Sequence, residues 1–116
     1  MEYKPRIILT GAAGTVARDI WKLLAELGYE VIPLDLKGTK ESVDDRIIEA
    51  DISDYAQLIP HFREGCVAIN MAWNTKIDHC ASKVTDPKTR KSWQNVYEAS
   101  IESNASLAIM ASSVNR

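Results

Sequence analysis

The 116-residue sequence predicts a single α/β domain, a doubly wound parallel sheet of about five strands with helices on both faces. Three observations predict it. Short apolar runs alternate with segments whose apolar residues recur at helical spacing, as strands and crossover helices do in a parallel sheet. The first run, Arg6–Thr10, passes straight into the small-residue turn Gly11-Ala12-Ala13-Gly14, and a helical pattern starts immediately behind it. The run Cys66-Val67-Ala68-Ile69-Asn70-Met71-Ala72 is apolar on both faces, which suits a strand buried between two helical layers.

The elements follow in order. Arg6–Thr10 is the first strand, and the helix behind it turns Val16, Ile20, Leu23, Leu24 and Leu27 toward the sheet before Gly28 ends it. Glu30–Asp35 reads as the second strand, although Pro33 removes a ladder donor and is unwelcome in a central strand. Gly38 to Asp45 is polar and turn-like, and Arg46–Asp51 makes a short third strand. Ser53 or Asp54 caps a helix through Tyr55, Leu58 and Ile59; Pro60 disturbs its later part and Gly65 closes it. Beyond the fourth strand, Trp73 to Lys88 is a long irregular excursion. A helix over Thr89–Ser103 presents Trp93, Val96, Tyr97 and Ile101 on one face, and Leu107–Ala111 forms the fifth strand. With no repeat, low-complexity tract or linker, residues 1–116 read as one domain.

Composition narrows the function. A net charge of −2 with 26% charged residues leaves no broad basic field, which argues against a nucleic-acid partner. The apolar runs are far too short to span a membrane and the first residues lack a signal-peptide core, so the expectation is a soluble, cytoplasmic protein. Cys66 and Cys80, with His79 beside the second, match neither a disulfide framework nor zinc-finger spacing and read as free thiols in a reducing compartment. No metal site is expected.

In an open parallel sheet the ligand lies over the carboxyl ends of the strands. At the first of these ends, Gly11 can take backbone angles closed to other residues, and Gly14 has no side chain to keep a pyrophosphate off the main chain. The helix starting near Thr15 aims its free N–H groups and its positive dipole end at the same point. These features predict a Rossmann-like dinucleotide cradle made by Gly11, Ala13, Gly14, Thr15 and Val16. Asp35 ends the second strand twenty-four residues after Gly11, where a carboxylate accepts both hydroxyls of an adenosine ribose and repels a 2′-phosphate. That favours NAD over NADP, with Lys37 as a partial offset; a solvated strand-end carboxylate is the plainer alternative. Asp51 and Ile52 would offer a carboxylate to the adenine amino group and an apolar contact to its ring, but Asp51 suits a turn or helix cap equally well.

At the fourth strand end, Asn70, Met71, Ala72 and Trp73 would bring small residues and backbone groups to the middle of the cofactor, unless Trp73 is simply a loop anchor. Ser112 and Ser113 follow the fifth strand, where a hydroxyl either polarises a substrate carbonyl or alcohol or satisfies a turn. His61 and His79 have no base, nucleophile or second ligand at an interpretable spacing and read as packing or surface residues. Lys88, Arg90 and Lys91 read as a solvated helix start or as a contact for an anionic substrate.

Taken together, these segments resemble the extended short-chain dehydrogenase/reductase family, also called the NAD-dependent epimerase/dehydratase family, over essentially the whole chain. Thr10-Gly11-Ala12-Ala13-Gly14-Thr15-Val16-Ala17 is similar to its TGxxGxxG turn, with Ala17 in place of the third glycine. Leu34-Asp35 resembles its ribose-binding strand end, and Ala50-Asp51-Ile52-Ser53-Asp54 its adenine-contacting segment. Asn70-Met71-Ala72-Trp73 stands in the place of its HLAA-like segment, with Trp73 for a small residue. Asn95-Val96-Tyr97-Glu98-Ala99-Ser100 is similar to its NVLEAA helix, although Thr89 replaces the asparagine usual before it. Ala111-Ser112-Ser113 resembles the segment that carries the active-site hydroxyl, which makes Ser113 the first catalytic candidate and Ser112 the second. The last two segments lean toward the uronate-dehydrogenase-like branch.

One departure outweighs the others. The family's Tyr-x-x-x-Lys pair is absent from these 116 residues: Tyr3, Tyr29, Tyr55 and Tyr97 are followed four positions later by Ile7, Pro33, Ile59 and Ile101. The resemblance therefore implies the amino-terminal, NAD-binding part of a sugar or sugar-acid dehydrogenase or a nucleotide-sugar epimerase/dehydratase, with its carboxy-terminal part and substrate domain missing. Such a piece of sheet would expose an edge and an apolar face, so self-association or a partner chain is expected. The alternative is a non-catalytic nucleotide-binding or regulatory module with the same fold.

Overall fold

The computed structural model describes residues 4–72 and 87–110. Among the described residues, five strands form one parallel sheet: β1 Ile7–Thr10, β2 Val31–Asp35, β3 Ile48–Glu49, β4 Val67–Asn70 and β5 Leu107–Met110, in the order β3-β2-β1-β4-β5. Among the same residues, four helices connect them: α1 Thr15–Glu26, α2 Thr39–Ser42, α3 Tyr55–Leu58, which a 3₁₀ turn at Ile59–His61 continues, and α4 Pro87–Glu102. The order reverses direction at β1, whose neighbours are β2 and β4, so the switch point of the sheet lies between β1 and β4.

Alternation along β1 divides the core into two layers. Leu9 packs with Ala17 and Trp21 of α1 and with Ile47 on one face, while Ile8 packs with Leu34, Leu58, Phe62, Val96 and Ala99 on the other. Each fully buried Ile or Leu of these layers contributes about 1.5–3 kcal/mol of transfer free energy. Ala17 and Trp21 of α1 make the sheet contact and Ile20 and Leu24 are half-buried, while Val16, Leu23 and the helix-ending Leu27 stay exposed. The expected apolar face is therefore rotated. Trp21 is covered from outside by the Arg46 guanidinium, 4.6 Å from its ring.

Pro33 sits inside a paired strand without breaking the ladder. The carbonyls of Glu30 and Leu34 face β1, where Ile7 and Gly11 donate to them, while that of Asp35 faces β3 and accepts from Ala50. Parity puts the nitrogen of Pro33 on the β3 side, and β3 begins only at Ile48, level with Leu34. The missing donor thus falls where no ladder has started. β3 is shorter than the predicted Arg46–Asp51 because an Asp44 turn takes its first residues: Asp44 Oδ1 accepts from the Arg46 amide at 2.9 Å, and Arg46 bonds back to the carboxylate. Those hydrogen bonds hold the Asp44 carboxyl down to about 2. The segment read as a turn before β3 contains the single helical turn α2.

In α4 the residues read as one face divide: Val96 is fully buried, whereas Trp93, Tyr97 and Ile101 are 44%, 50% and 63% exposed, with the two aromatic rings stacked on each other outside. The buried face is Ser92, Asn95, Val96, Ala99 and Ser100. Two of its polar side chains are satisfied internally: Ser100 Oγ donates to the Val96 carbonyl, and Asn95 Nδ2 donates to the Ile52 carbonyl at 2.9 Å. Small side chains let the helix approach the sheet closely, which the larger aromatics would prevent. β4 is half-buried at Val67 and Ile69 rather than closed on both faces, and Leu107 and Ile109 of the edge strand β5 are exposed on that same side.

Asp54 caps α3 by accepting from the Ala56 amide, and the helix tightens into the 3₁₀ turn where Pro60 cannot donate. At the carboxyl ends of the central strands, register partners Thr10 and Asn70, each 1% exposed, are joined by a hydrogen bond from Thr10 Oγ1 to Asn70 Oδ1. The same oxygen accepts from the Ala72 amide at 3.1 Å, fixing the chain as it leaves β4. Replacing Thr10 by Val keeps its shape and removes this donor, so Thr10→Val is expected to lower unfolding free energy by about 1–2 kcal/mol. Chemical denaturation checks it; an unchanged midpoint would show that the bond is dispensable.

Candidate functional site

The glycine turn leaves β1 at the switch point. Gly11 has φ 74°, and a Cβ placed on it would stand 2.7 Å from the Ala72 nitrogen and the Met71 carbonyl carbon. Any side chain there would be in backbone. Gly14 differs: its φ of −69° suits any residue, and an added Cβ would meet only the Gly11 carbonyl oxygen, at an ordinary 3.5 Å. The fold requires glycine at the first position and not at the second.

Backbone amides of the turn are mostly committed. Gly11 and Ala12 donate to the Leu34 carbonyl at 2.9 and 3.1 Å, and Gly14 donates to Gly11. Ala13 donates to Asp35 Oδ2 at 2.8 Å. The first turn of α1 begins behind them with no side-chain cap and no acidic residue. The amides of Thr15 and Val16 belong to that uncapped turn, where an α-helix leaves its first donors without internal acceptors. An anion with several acceptor oxygens fits this end. Ala13, expected to sit under the phosphates, has its N–H turned to Asp35 instead.

Asp35 is half-buried at the end of β2. Its second oxygen, Oδ1, accepts from the Leu36 amide at 2.7 Å, so two backbone bonds fix the carboxylate. Each oxygen keeps acceptor capacity for a further donor. Asp51, after β3, closes a turn through Oδ1, which accepts from the Ser53 amide and hydroxyl at 3.0 and 2.6 Å, while the Asp51 amide donates to Gln57 Oε1 at 2.9 Å. The turn-forming alternative for Asp51 is thus realised in one of its oxygens. Ile52 is buried in the larger core layer, which places its side chain in the core and not on a ligand ring. Met71 and Ala72 are half-buried beside Gly11, and the Met71 amide donates to the Thr10 carbonyl at 2.9 Å.

Because all five strands are parallel, Gly11, Ala13, Gly14, Thr15, Val16, Asp35, Asp51, Met71 and Ala72 share the carboxyl edge of the sheet. Trp73, His79, Cys80, Ser112 and Ser113 lie outside the described residues, as do the side chains of Lys88 and Thr89. Arg90 and Lys91 are exposed near the start of α4. His61 belongs to the opposite edge: its carbonyl accepts from Arg6 ahead of β1, and burial followed by the nearby Arg6 charge lowers its pKa. Tyr55 donates to Glu102 across α3 and α4, and burial together with that carboxylate pushes its hydroxyl up to about 12, the wrong direction for proton exchange near neutrality. Apolar spacing gives no sign of Asn95, whose buried amide holds the backbone of the Asp51–Ser53 segment through the Ile52 carbonyl. Among the described residues no helix is long and apolar enough to cross a membrane.

Fold and strand-end geometry together define a Rossmann-like class of α/β protein, and comparison with known proteins makes the class specific. The sequence profile of the NAD dependent epimerase/dehydratase family matches residues 7–115. The chain belongs to that family. No curated protein sequence matches it. Among solved structures, it is similar to a UDP-galactose 4-epimerase at 28% identity and a TM-score of 0.71, with 93% of this chain covering 38% of that one. The Bordetella bronchiseptica enzyme WbmH in complex with NAD+ follows at 26% identity and 0.68, covering 88% of this chain and 37% of that one. A Thermus thermophilus UDP-glucose 4-epimerase complex with NAD is 25% identical with a TM-score of 0.68, covering 84% and 34%. The chain therefore spans less than two fifths of the length of these relatives.

The two glycines predict opposite stability outcomes. Gly11→Ala combines a positive φ with a backbone overlap and should destabilise by about 2–4 kcal/mol, whereas Gly14→Ala should stay within about 0.5 kcal/mol of the parent. Thermal melts of both variants check this, and equal losses would contradict the different roles assigned to the two positions.

Proposed function

We propose that these residues form the NAD(H)-binding part of a sugar or sugar-acid dehydrogenase or a nucleotide-sugar epimerase/dehydratase. The observation that carries the reading is the pairing of an uncapped α1 amino end with Asp35, held by the same glycine turn through its 2.8 Å bond to Ala13. The NAD complexes of WbmH and of the Thermus thermophilus epimerase support it.

In this reading the pyrophosphate lies against Gly11 and Gly14 and accepts from the amides of Thr15 and Val16, where the α1 dipole adds to the attraction. Asp35 accepts the adenosine ribose hydroxyls, which favours NAD over NADP. Asp51 borders the adenine, while Met71 and Ala72 border the middle of the cofactor. A bound nicotinamide supplies hydride exchange with a sugar carbon. Ser113, with Ser112 second, would polarise the reacting oxygen. Exchange of the accompanying proton needs an acid/base group, and these 116 residues contain no Tyr-x-x-x-Lys pair. The chain by itself would bind the cofactor weakly and turn over no substrate. Exposed Leu107 and Ile109 on the β5 edge support a further part of the reading, association with a second copy or a partner chain.

Titration with NAD and NADH tests the proposal. The parent chain should bind at millimolar nucleotide, and Asp35→Ala should weaken binding by about ten-fold or more through loss of charge-assisted bonds. Gly14→Ala, folded as above, should weaken it at least as much. If neither nucleotide binds the parent at millimolar concentration, the cofactor reading is overturned.

A further inference from the structure

Asp35 and Glu49 are register partners on β2 and β3, so their side chains leave the same sheet face from strands about 4.8 Å apart. Both stand at the carboxyl edge. Glu49 is exposed, and its Oε2 accepts from the amides of Gly38 at 2.7 Å and Lys40 at 3.2 Å. Those amides belong to the turn that leaves β2 just beyond Asp35, where Gly38 takes φ 96°. A second carboxylate therefore lies next to the ribose-facing one, and it already occupies backbone donors that another anion would need. Lys37 and Lys40, both exposed, lie in the same segment after β2.

Resting on the dinucleotide reading of this edge, we propose that Glu49 is a specificity-determining residue that acts with Asp35 to admit a free adenosine 2′-hydroxyl and reject a 2′-phosphate. A phosphate monoester carries close to two negative charges at neutral pH. Next to Asp35 it meets one carboxylate; Glu49 adds another and offsets the lysines that would otherwise draw the phosphate in. A free hydroxyl carries no charge and is indifferent to Glu49. Asp35 alone is the weaker filter, because the exposed Lys37 and Lys40 follow it closely in the chain and carry the opposite charge.

Dissociation constants for NAD and NADP, measured on the parent, Glu49→Gln and a control Glu64→Gln, test this. Glutamine keeps an acceptor for the Gly38 and Lys40 amides and removes only the charge; Glu64 is exposed just before β4, at the opposite edge. Glu49→Gln should bind NADP about ten-fold more tightly than the parent, with NAD unchanged within about two-fold, and the gain should shrink as salt rises. Glu64→Gln should alter neither constant. A second reading needs no variant: the parent's preference for NAD over NADP should fall with ionic strength. An NADP-to-NAD ratio that Glu49→Gln leaves at the parent value, or that is insensitive to salt in the parent, overturns the role of Glu49. Failure of the parent to bind NAD at all overturns the dinucleotide reading, and the role of Glu49 with it.

Discussion

The contact on which the rest of the structure depends is the one between Gly11 and the Met71–Ala72 backbone. Two main chains meet there at a separation that leaves no room for a Cβ. The contact closes the β1–β4 switch point from above, and the buried Thr10–Asn70 bond pins it from below. With the strand ends fixed this way, the turn can only leave toward Leu34, whose carbonyl accepts both the Gly11 and the Ala12 amides. The direction of α1 follows from that departure. A larger residue at position 11 would separate the strands and reorient the helix end that carries the free amides.

The turn divides its work among small residues that look alike in sequence. Gly11 serves packing and backbone geometry; Gly14 serves neither, since its φ is ordinary and its surroundings accept a methyl group. In the proposed reading, a glycine that the fold does not need leaves the main chain open to a ligand at that point. Ala13 has a third role, because its amide donates to Asp35 and ties the glycine turn to the end of β2.

Much of this is legible in the sequence. Strands, crossover helices, the glycine turn and the strand-end carboxylates follow from periodicity and from residues with single physical roles, such as Gly11 and Asp35. What is not legible depends on pairing across the sheet. Pro33 is harmless only because β3 starts late, and β3 starts late because Asp44 and Arg46 form a turn in its place. The aromatic stripe of α4 misleads, because Asn95, Ser92 and Ser100 face the core where close approach and buried hydrogen bonds outweigh side-chain hydrophobicity. Glu49 carries no signal along the chain; only the β2–β3 register places it beside Asp35.

If a dinucleotide is held at this edge by the amides of the α1 start, its binding must register at those amides. Amide spectra of the isotopically labelled chain during titration with NAD test it most directly. Thr15 and Val16 should shift first and most, with Gly14 and the Asp35–Leu36 amides next, while residues at the opposite edge, Arg6 and His61, stay unmoved. Shifts centred on that opposite edge, or on the exposed Trp93–Tyr97 face of α4, with the Thr15 and Val16 amides unchanged, would contradict it.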